Sequence, residues 1–432
     1  MNRTFIIRAI SLYVPLVSAL ALWNWRKPAQ REATGALLAT AWNLPALLGV
    51  NLMAMHFGWW SFSVNGGTLF GMPVDLWIGW SAFWGTAAGL LFRYTPLWIV
   101  AIVLGIADLV LMPMCAPVVM LGKRWLIGEC IALSVCVAPG LLLARWTRDC
   151  RSVKRRALLQ TVCFSGLFLL STVAVANASE RLERLAHITS LHLHLLAIAI
   201  FLAALPGVSA VQEFAKVGQG TPLPFDPPQQ LVRSGIYRYI ANPMQSSTAL
   251  LLIVMAIGLR LPWLLLGSLV SIVYSAGLAH WDEDSDLRQR YGQSFLDYRR
   301  QVRNWLPRWR PAINQPARIY LAEDCFKCSQ MAAFLKSLTP IGLEVVAAED
   351  HPRRNLERMT YESDAVEDDG LAALARAMEH VNLGYALAGM ALRLPGINAA
   401  LQAIVDASGG GPMPVRRRSC EIPAPRIQKT AK

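Results

Sequence analysis

Long apolar runs alternate with short polar interruptions along this chain, and the rhythm predicts much of its architecture. Runs long enough to cross about 30 Å of hydrocarbon as helices fall near 5–23, 36–57, 72–92, 96–120, 126–144, 157–177 and 191–212. An eighth apolar region, 247–280, is interrupted by LRLPW at 259–263. Arg260 and Pro262 suit neither a mid-bilayer position nor a helix interior, so this region predicts a hairpin of two helices. From about residue 316 the periodicities become those of a soluble α/β domain: ARIYLA and LEVVAAED read as strands, CSQMAAFLKSL and LAALARAMEHV as helices. Between them RWRPAINQPAR (308–318) has two prolines and no apolar period, which predicts a linker centred on 311–316. The end, 408–432, carries Gly, Pro and basic residues with little to bury. It predicts a disordered tail that touches anionic lipid through Arg416, Arg417 and Arg418. Five zones follow: a transmembrane region (1–212), a membrane-surface core holding the hairpin (213–310), the linker, a soluble domain (317–407) and the tail.

Composition excludes a soluble globular chain. Hydrophobic residues make up 54% and charged residues only 16% of the 432, with mean hydropathy +0.38. The formal net charge of +13 would in a soluble protein point to nucleic acid. Here its placement argues for topology instead. Arg26, Lys27, Arg31, Arg93 and the run RWTRDCRSVKRR (145–156) gather on alternate loops, whereas 58–70 has no charge. The positive-inside rule then puts the basic loops in the cytoplasm, the N-terminus outside, and everything after Trp281 inside. The expected location is the inner (cytoplasmic) membrane, with the lipid bilayer as partner, no nucleic acid, and an uncleaved first span. Of eight cysteines, Cys115, Cys130, Cys136 and Cys163 lie in apolar spans as small core residues; only Cys325 and Cys328 form a motif.

Chemistry concentrates around the hairpin. GQGTPLPFDPPQQLV (218–232) is too rich in proline for helix or strand, and GIYRYIANPM (235–244) follows it. Pro243 fits the first turn of the first hairpin helix, with Asn242 as its N-cap. Free helix N–H groups together with Arg238 suit a carboxylate or phosphate. Beyond the hairpin an acidic cluster, Asp282, Glu283, Asp284 and Asp286, suits a cation or sugar hydroxyls. A zwitterionic, sugar-bearing cation would match both ends. The same residues also read as interfacial anchors of an ordinary hairpin.

The order GTPLPFDPPQQLVRSGIYRYIANPM, hydrophobic hairpin, EDSDLRQRYGQSFLDYRRQVRNWLPR resembles the C-terminal half of integral-membrane methyltransferases of the isoprenylcysteine carboxyl methyltransferase and phospholipid methyltransferase superfamily. That resemblance runs over about 213–310. It implies S-adenosylmethionine as methyl donor, bound on the cytoplasmic side, and a lipophilic or membrane-bound acceptor entering from the bilayer. By position it implies that Tyr237, Arg238, Asn242 and Pro243 hold one part of the cofactor and Glu283 and Asp284 another. The chain departs from the family pattern at Ile236 for Pro, Ala241 for Arg, Gln245 for Tyr and Asp284 for Glu. Ala241 removes a cationic or hydrogen-bonding contact.

The segment ARIYLAEDCFKCSQMAAFLKSL (317–338) reads strand, turn, helix, with Cys325 and Cys328 at the helix start. A thiolate there gains from the helix N-terminus and from Lys327, and is opposed by Glu323 and Asp324. Cys328 can resolve a mixed disulfide formed at Cys325. With LEVVAAED as second strand, the segment begins a thioredoxin-like βαβ unit. No metal site is expected, because His351 and Cys420 give no second pair at zinc spacing. The Cys-x-x-Cys after a strand, with the later DDGLAALARAMEHVNLGYALAGMALRLPGI, resembles the DCC-type thiol-disulfide oxidoreductases over about 317–407. This implies a thioredoxin-like fold and a thiol partner protein.

The expected fold class is thus a polytopic α-helical membrane protein, about seven spans plus a hairpin, with a C-terminal α/β thioredoxin-like domain. The leading expectation is an S-adenosylmethionine-dependent methyltransferase with a fused cytoplasmic thiol-disulfide domain. One alternative is a membrane-anchored thiol-disulfide oxidoreductase on a non-catalytic methyltransferase-like scaffold. The other is a non-catalytic sensor of the nucleotide-like ligand. Asp108, inside IVLGIADLVLM, reads as a pocket or proton-path residue or as an interhelical hydrogen-bond partner. His192 and His194 stand two apart, on different helix faces. His280 and Tyr298 are near the motif in sequence without a spacing that assigns them a role.

Overall fold

In hydrocarbon a backbone must satisfy its own hydrogen bonds, so uninterrupted apolar runs become helices. Among the described residues six are long and apolar enough to cross a membrane: Arg3–Arg26, Gln30–Phe57, Leu97–Met114, Trp125–Arg148, Val153–Ala178 and Ser190–Gly218. The computed structural model describes residues 3–181, 188–223, 226–313, 316–364 and 366–415, with the side chains of 278–284 outside that description. The described chain is mostly helical.

Two expected spans differ from the observed helices. The run expected at 72–92 starts later, as Val74–Ala82, Phe83–Ala87 and Ala88–Leu91 in succession, because Met72 and Pro73 belong to a strand. The run expected at 96–120 ends at Met114. Pro113 and Pro117 interrupt helical hydrogen bonding there, and the chain turns into a strand. That strand, β4 (Val119–Leu121), pairs antiparallel with β1 (Trp60–Phe62); β2 (Thr68–Leu69) pairs with β3 (Met72–Pro73). The uncharged loop 58–70 is therefore structured, a feature that hydropathy alone did not signal.

The described residues divide into two compact units. The first comprises Met1–His194, Gln219–Pro228 and Met255–Leu264. Gln30–Phe57 runs through it, packed on Ala138–Arg148, Val153–Ala178 and Val74–Ala82. Its core joins Leu47, Met72 and Leu141 with four indoles, Trp59, Trp60, Trp77 and Trp84. Arg156, buried in the helix Val153–Ala178, pairs with Asp226 and ties the proline-rich 219–228 segment to the bundle. His192 and His194 go separate ways. The first bonds the Gly258 carbonyl at 2.7 Å, the second the Ser190 carbonyl at 2.6 Å.

The second unit comprises Leu195–Gly218, Gln229–Val254 and Leu265–Lys432. The hairpin helices are Pro243–Gly258 and Trp263–Tyr274, with 16 and 12 residues. At about 1.5 Å per residue neither crosses a bilayer alone. Ser247 donates to the Ala203 carbonyl and Ser268 to the Ala249 carbonyl, at 3.1 Å for the latter, so small polar groups sit at the helix contacts. A four-stranded mixed sheet follows, in the order β6 (Leu343–Ala347), β5 (Ala317–Leu321), β7 (Thr360–Glu362), β8 (Glu367–Asp369). The β5/β6 pair is parallel and the other two pairs are antiparallel. The helices Leu383–Leu392 and Pro395–Val405 come after it, and their apolar run bends by 82° at the break.

The region expected as a free linker is docked. Ala312 is buried and donates its N–H to the Arg238 carbonyl at 2.9 Å, and Arg308 donates to Tyr239 O at 3.0 Å. Residues 314–315 lie outside the described residues. Of the tail expected from 408, residues 408–415 are described and ordered. Met413 and Val415 still donate to the Glu357 and Leu356 carbonyls, each at 2.8 Å. Arg416, Arg417, Arg418 and Cys420 lie outside the described residues.

Candidate functional site

The GIYRYIANPM stretch is held from beneath by a buried carboxylate. Gly235 takes φ +62, and a Cβ there would come within 2.7 Å of the Glu213 side chain. Only glycine satisfies both the backbone angle and the approach. Glu213, fully buried at the end of Ser190–Glu213, accepts from Ser234 Oγ at 2.5 Å. It also meets Arg376 Nη1 at 2.8 Å and Arg393 Nη1 at 2.6 Å. Arg376 reaches Asp368 at 3.0 Å and Glu379 at 3.4 Å, Arg393 reaches Glu379 at 2.6 Å, and Lys216 pairs with Asp368. Burial pushes the Asp368 carboxyl up, but Arg376 and Lys216 outweigh it and hold it below its usual range. Burial works against the Arg376 charge, yet Glu213, Glu379 and Asp368 raise its pKa above the ordinary guanidinium value. Glu213 and Lys216 carried no motif, and Asp368, Arg376, Glu379 and Arg393 lie in the segment quoted for the DCC-type resemblance without a role assigned to any of them, so sequence reading missed the network.

On this base the motif residues take distinct roles. Tyr237 stacks on Phe214 with centroids 5.4 Å apart, and its carbonyl accepts from Tyr298 Oη at 2.9 Å. Tyr298 thus buttresses the motif from behind. Burial pushes its phenol up. Arg238 is 7% exposed and donates from Nη2 to Tyr361 Oη at 3.2 Å. Tyr361 donates onward to His380 Nε2 at 2.9 Å, and His380 donates from Nδ1 to the Ile341 carbonyl at 2.8 Å. This chain of donors has one consistent direction only with His380 neutral. Burial first, and the Arg238 charge second, hold the His380 pKa well below the ordinary 6.5.

The other end of the guanidinium is unsatisfied. Arg238 Nη1 is buried with no hydrogen-bond partner. Arg238 lines a cavity of about 280 Å³ together with Arg233, Ser234, Gln230, Ser363 and Asp364. Two cations, a carboxylate and hydroxyls around such a space can receive a ligand bearing both a carboxylate and hydroxyl groups. Pro243 opens the hairpin helix, and Ser246 donates to the Asn242 carbonyl at 3.1 Å. Ala241 lies against the Tyr298 and Val302 core, and its N–H donates to Arg303 O at 2.9 Å. The Glu283, Asp284 and His280 side chains lie outside the described residues, although their backbone belongs to the helix His280–Tyr291.

The two cysteines stand at a different edge. Cys325 caps the helix Phe326–Ser337, its Sγ accepting from the Cys328 N–H at 3.4 Å. The Cys328 side chain first, then backbone N–H groups and Lys327, hold the Cys325 thiol below its ordinary value; burial and the Cys325 neighbour push Cys328 up to about 11. Cys325 follows the C-terminal end of β5. Ser363 and Asp364 follow β7, which runs antiparallel and ends beside the start of β5. The cysteine pair and the Arg238 cavity therefore lie at opposite edges of the sheet, separated by a strand of about 16 Å. Among the described residues no three His, Cys, Asp or Glu side chains gather as a metal site.

Residues 193–294 match the phospholipid methyltransferase family. No curated protein matches the chain, and neither does any solved structure. The matched segment contains the buried Glu213, the whole GIYRYIANPM stretch, both hairpin helices and the acidic cluster. It ends before the cysteines.

Proposed function

We propose that the protein is a membrane methyltransferase that uses S-adenosylmethionine and acts on a lipophilic acceptor. The carrying observation is Arg238, a buried cation with an unsatisfied Nη1 inside the segment matched to phospholipid methyltransferases, lining a cavity that Ser363 and Asp364 from beyond that segment complete. Arg238 and Arg233 would hold the cofactor's carboxylate, and Asp364 and Ser363 its hydroxyl groups. When bound, the cofactor supplies a sulfonium methyl group for in-line transfer. The chain's own task is alignment and exclusion of water, which the stack of Phe214 on Tyr237 and the Tyr298 buttress serve. Glu283 and Asp284 belong to this reading through their place in the motif. So do the cytoplasmic placement of residues after Trp281 and the inner-membrane location. The test is S-adenosylmethionine binding to the full chain in nanodiscs. Arg238→Gln should weaken it by roughly tenfold to a hundredfold, the worth of one charge-assisted hydrogen bond to a carboxylate. Wild-type affinity in a folded Arg238→Gln protein sinks the assignment.

We infer a second activity at the cysteine edge, thiol-disulfide exchange on a protein thiol in a thioredoxin-like domain. It is supported by the second-first-third-fourth strand order with one parallel pair and by the unequal thiols. Alkylation with iodoacetamide at neutral pH should modify Cys325 well ahead of Cys328; equal rates would remove the argument.

A further inference from the structure

The last helix of the second unit is turned inside out. Pro395–Val405 has no charged residue, and its two polar side chains, Asn398 and Gln402, fall in one stripe with Asp406 of the turn that continues it. That stripe faces the domain. Asn398 donates to the Leu392 carbonyl at 3.1 Å, and Gln402 Oε1 accepts from the Leu371 N–H at 2.7 Å. Gln402 Nε2 donates to Asp406 at 2.7 Å, and Arg358 holds the same carboxylate at 2.8 Å. Gly370, at φ +61, makes room for this contact, since a Cβ there would come within 2.4 Å of the Gln402 side chain. The polar side of the helix is thus fixed inward.

The outward face is apolar. Ile397, Ala400, Ala403, Ile404 and Val405 are all exposed, Ile404 by 59%. A helix on the surface of a soluble domain shows the reverse arrangement. Single apolar side chains in water need no explanation, but a whole uncharged helix face marks a surface that something covers. Lys327 donates to the Ser408 carbonyl at 2.8 Å, which ties the end of this helix to the start of Phe326–Ser337, where the Phe326 ring is 76% exposed. The apolar face therefore adjoins the cysteine edge of the sheet.

Three observations say what covers it. Leu383–Leu392 and Pro395–Gly410 are together as apolar as a membrane span, but bend by 82° at the break. At 10 and 11 residues the helices Leu383–Leu392 and Pro395–Val405 are each too short to cross about 30 Å of hydrocarbon, so such a composition suits contact along the surface and not passage through it. The same compact unit holds residues 243–254 and 265–274 of the apolar hairpin, so a bilayer is tethered to this domain at high effective concentration. The sequence after Val415 opens with Arg416, Arg417 and Arg418 and has no acid before Glu421, which suits anionic headgroups. We propose that Pro395–Val405 docks on the lipid surface by its Ile397, Ile404 and Val405 face and holds the cysteine edge of the C-terminal domain at the membrane. This docking rests on neither of the activities proposed above.

The experiment uses the full chain in proteoliposomes of phosphatidylcholine and phosphatidylglycerol. The photoreactive residue p-benzoylphenylalanine replaces Ile404 in one protein and, in another, Lys336, which is exposed on the helix Phe326–Ser337. After irradiation, intact-mass spectrometry should show the chain plus one phospholipid from position 404 and no such adduct from position 336. With the probe moved to Val405, Ile397→Asp together with Ile404→Asp should abolish the lipid adduct, because carboxylates on that face keep it in water. An adduct of twice the chain mass from position 404 overturns the proposal in favour of contact between two copies. Equal lipid adducts from 404 and 336, or none from 404, overturn it outright. So does a lipid adduct that survives both aspartates. Should the doubly substituted chain fail to fold, the comparison of 404 with 336 still decides.

Discussion

Both compact units bury charge, and they do so in opposite ways. In the second unit Glu213, Glu379, Asp368, Arg376, Arg393 and Lys216 form a network in which carboxylates and cations alternate at 2.6–3.4 Å, with the Lys216 pair closing it. In the first unit Asp108 and Glu129 are buried as neighbours, and among the described residues neither forms an ion pair with a cation. Burying a charge costs several kcal/mol unless it is compensated. The alternating network therefore has the composition of a foundation, in which each carboxylate meets two cations. The carboxyl pair has only its own members and the neighbouring indoles.

The largest expected effect tests the foundation. Arg376→Met removes a cation that three carboxylates share. Breaking a buried pair from one side costs about 3–5 kcal/mol, because the remaining charges lose their compensation. The loss should be local to the second unit. Hydrogen exchange in nanodiscs should show faster exchange at β7, β8 and the Gly235–Arg238 turn, while Leu97–Met114 keeps its protection. A variant with wild-type exchange at the turn would show that Glu213 does not depend on the network.

Acid should weaken the same region by a smaller amount. His380 sits beside Arg238 and Arg376 and is held neutral in the fold, so its folded pKa lies below the unfolded 6.5. Below pH 6.5 the unfolded chain binds a proton that the folded chain refuses, and stability falls as pH falls. The slope reaches about 1.4 kcal/mol per pH unit until the folded pKa is met. His380→Gln, which keeps an acceptor for Tyr361, should flatten the midpoint of unfolding between pH 6.5 and 5. An unchanged slope would assign the acid sensitivity elsewhere.

How much of this was legible beforehand divides along the same line. Hydropathy located the six long helices and the broken hairpin because a bilayer imposes a length and a composition on each span. GIYRYIANPM was legible because its glycine, arginine and proline carry positional chemistry. The partners were not. Glu213 appears as one acid at the end of an apolar run, and Arg376 as one base in LAALARAM; their pairing is a property of the fold, 163 positions of sequence being closed by tertiary contact. Asp108 was visible as a charge in an apolar run, but Glu129 sits near the start of a span, where an acid is unremarked. The docking of 308–313 was missed for a related reason, since prolines signal the absence of regular structure and say nothing about what the backbone carbonyls of Arg238 and Tyr239 accept.

The smallest expected effect, and the one with the opposite sign, tests the pair in the first unit. Asp108→Asn keeps the shape of the side chain and removes an acid that has Glu129 and two indoles beside it but no cation. In phosphatidylcholine nanodiscs the midpoint of its unfolding should stay within about 1 kcal/mol of wild type, on the stable side, because an amide is cheaper to bury beside a second carboxyl than another acid is. A loss comparable to that of Arg376→Met would mean that Asp108 holds the bundle together through contacts of its own. The contrast between a cation-paired network and an acid pair without cations would then fail at the residue on which it rests.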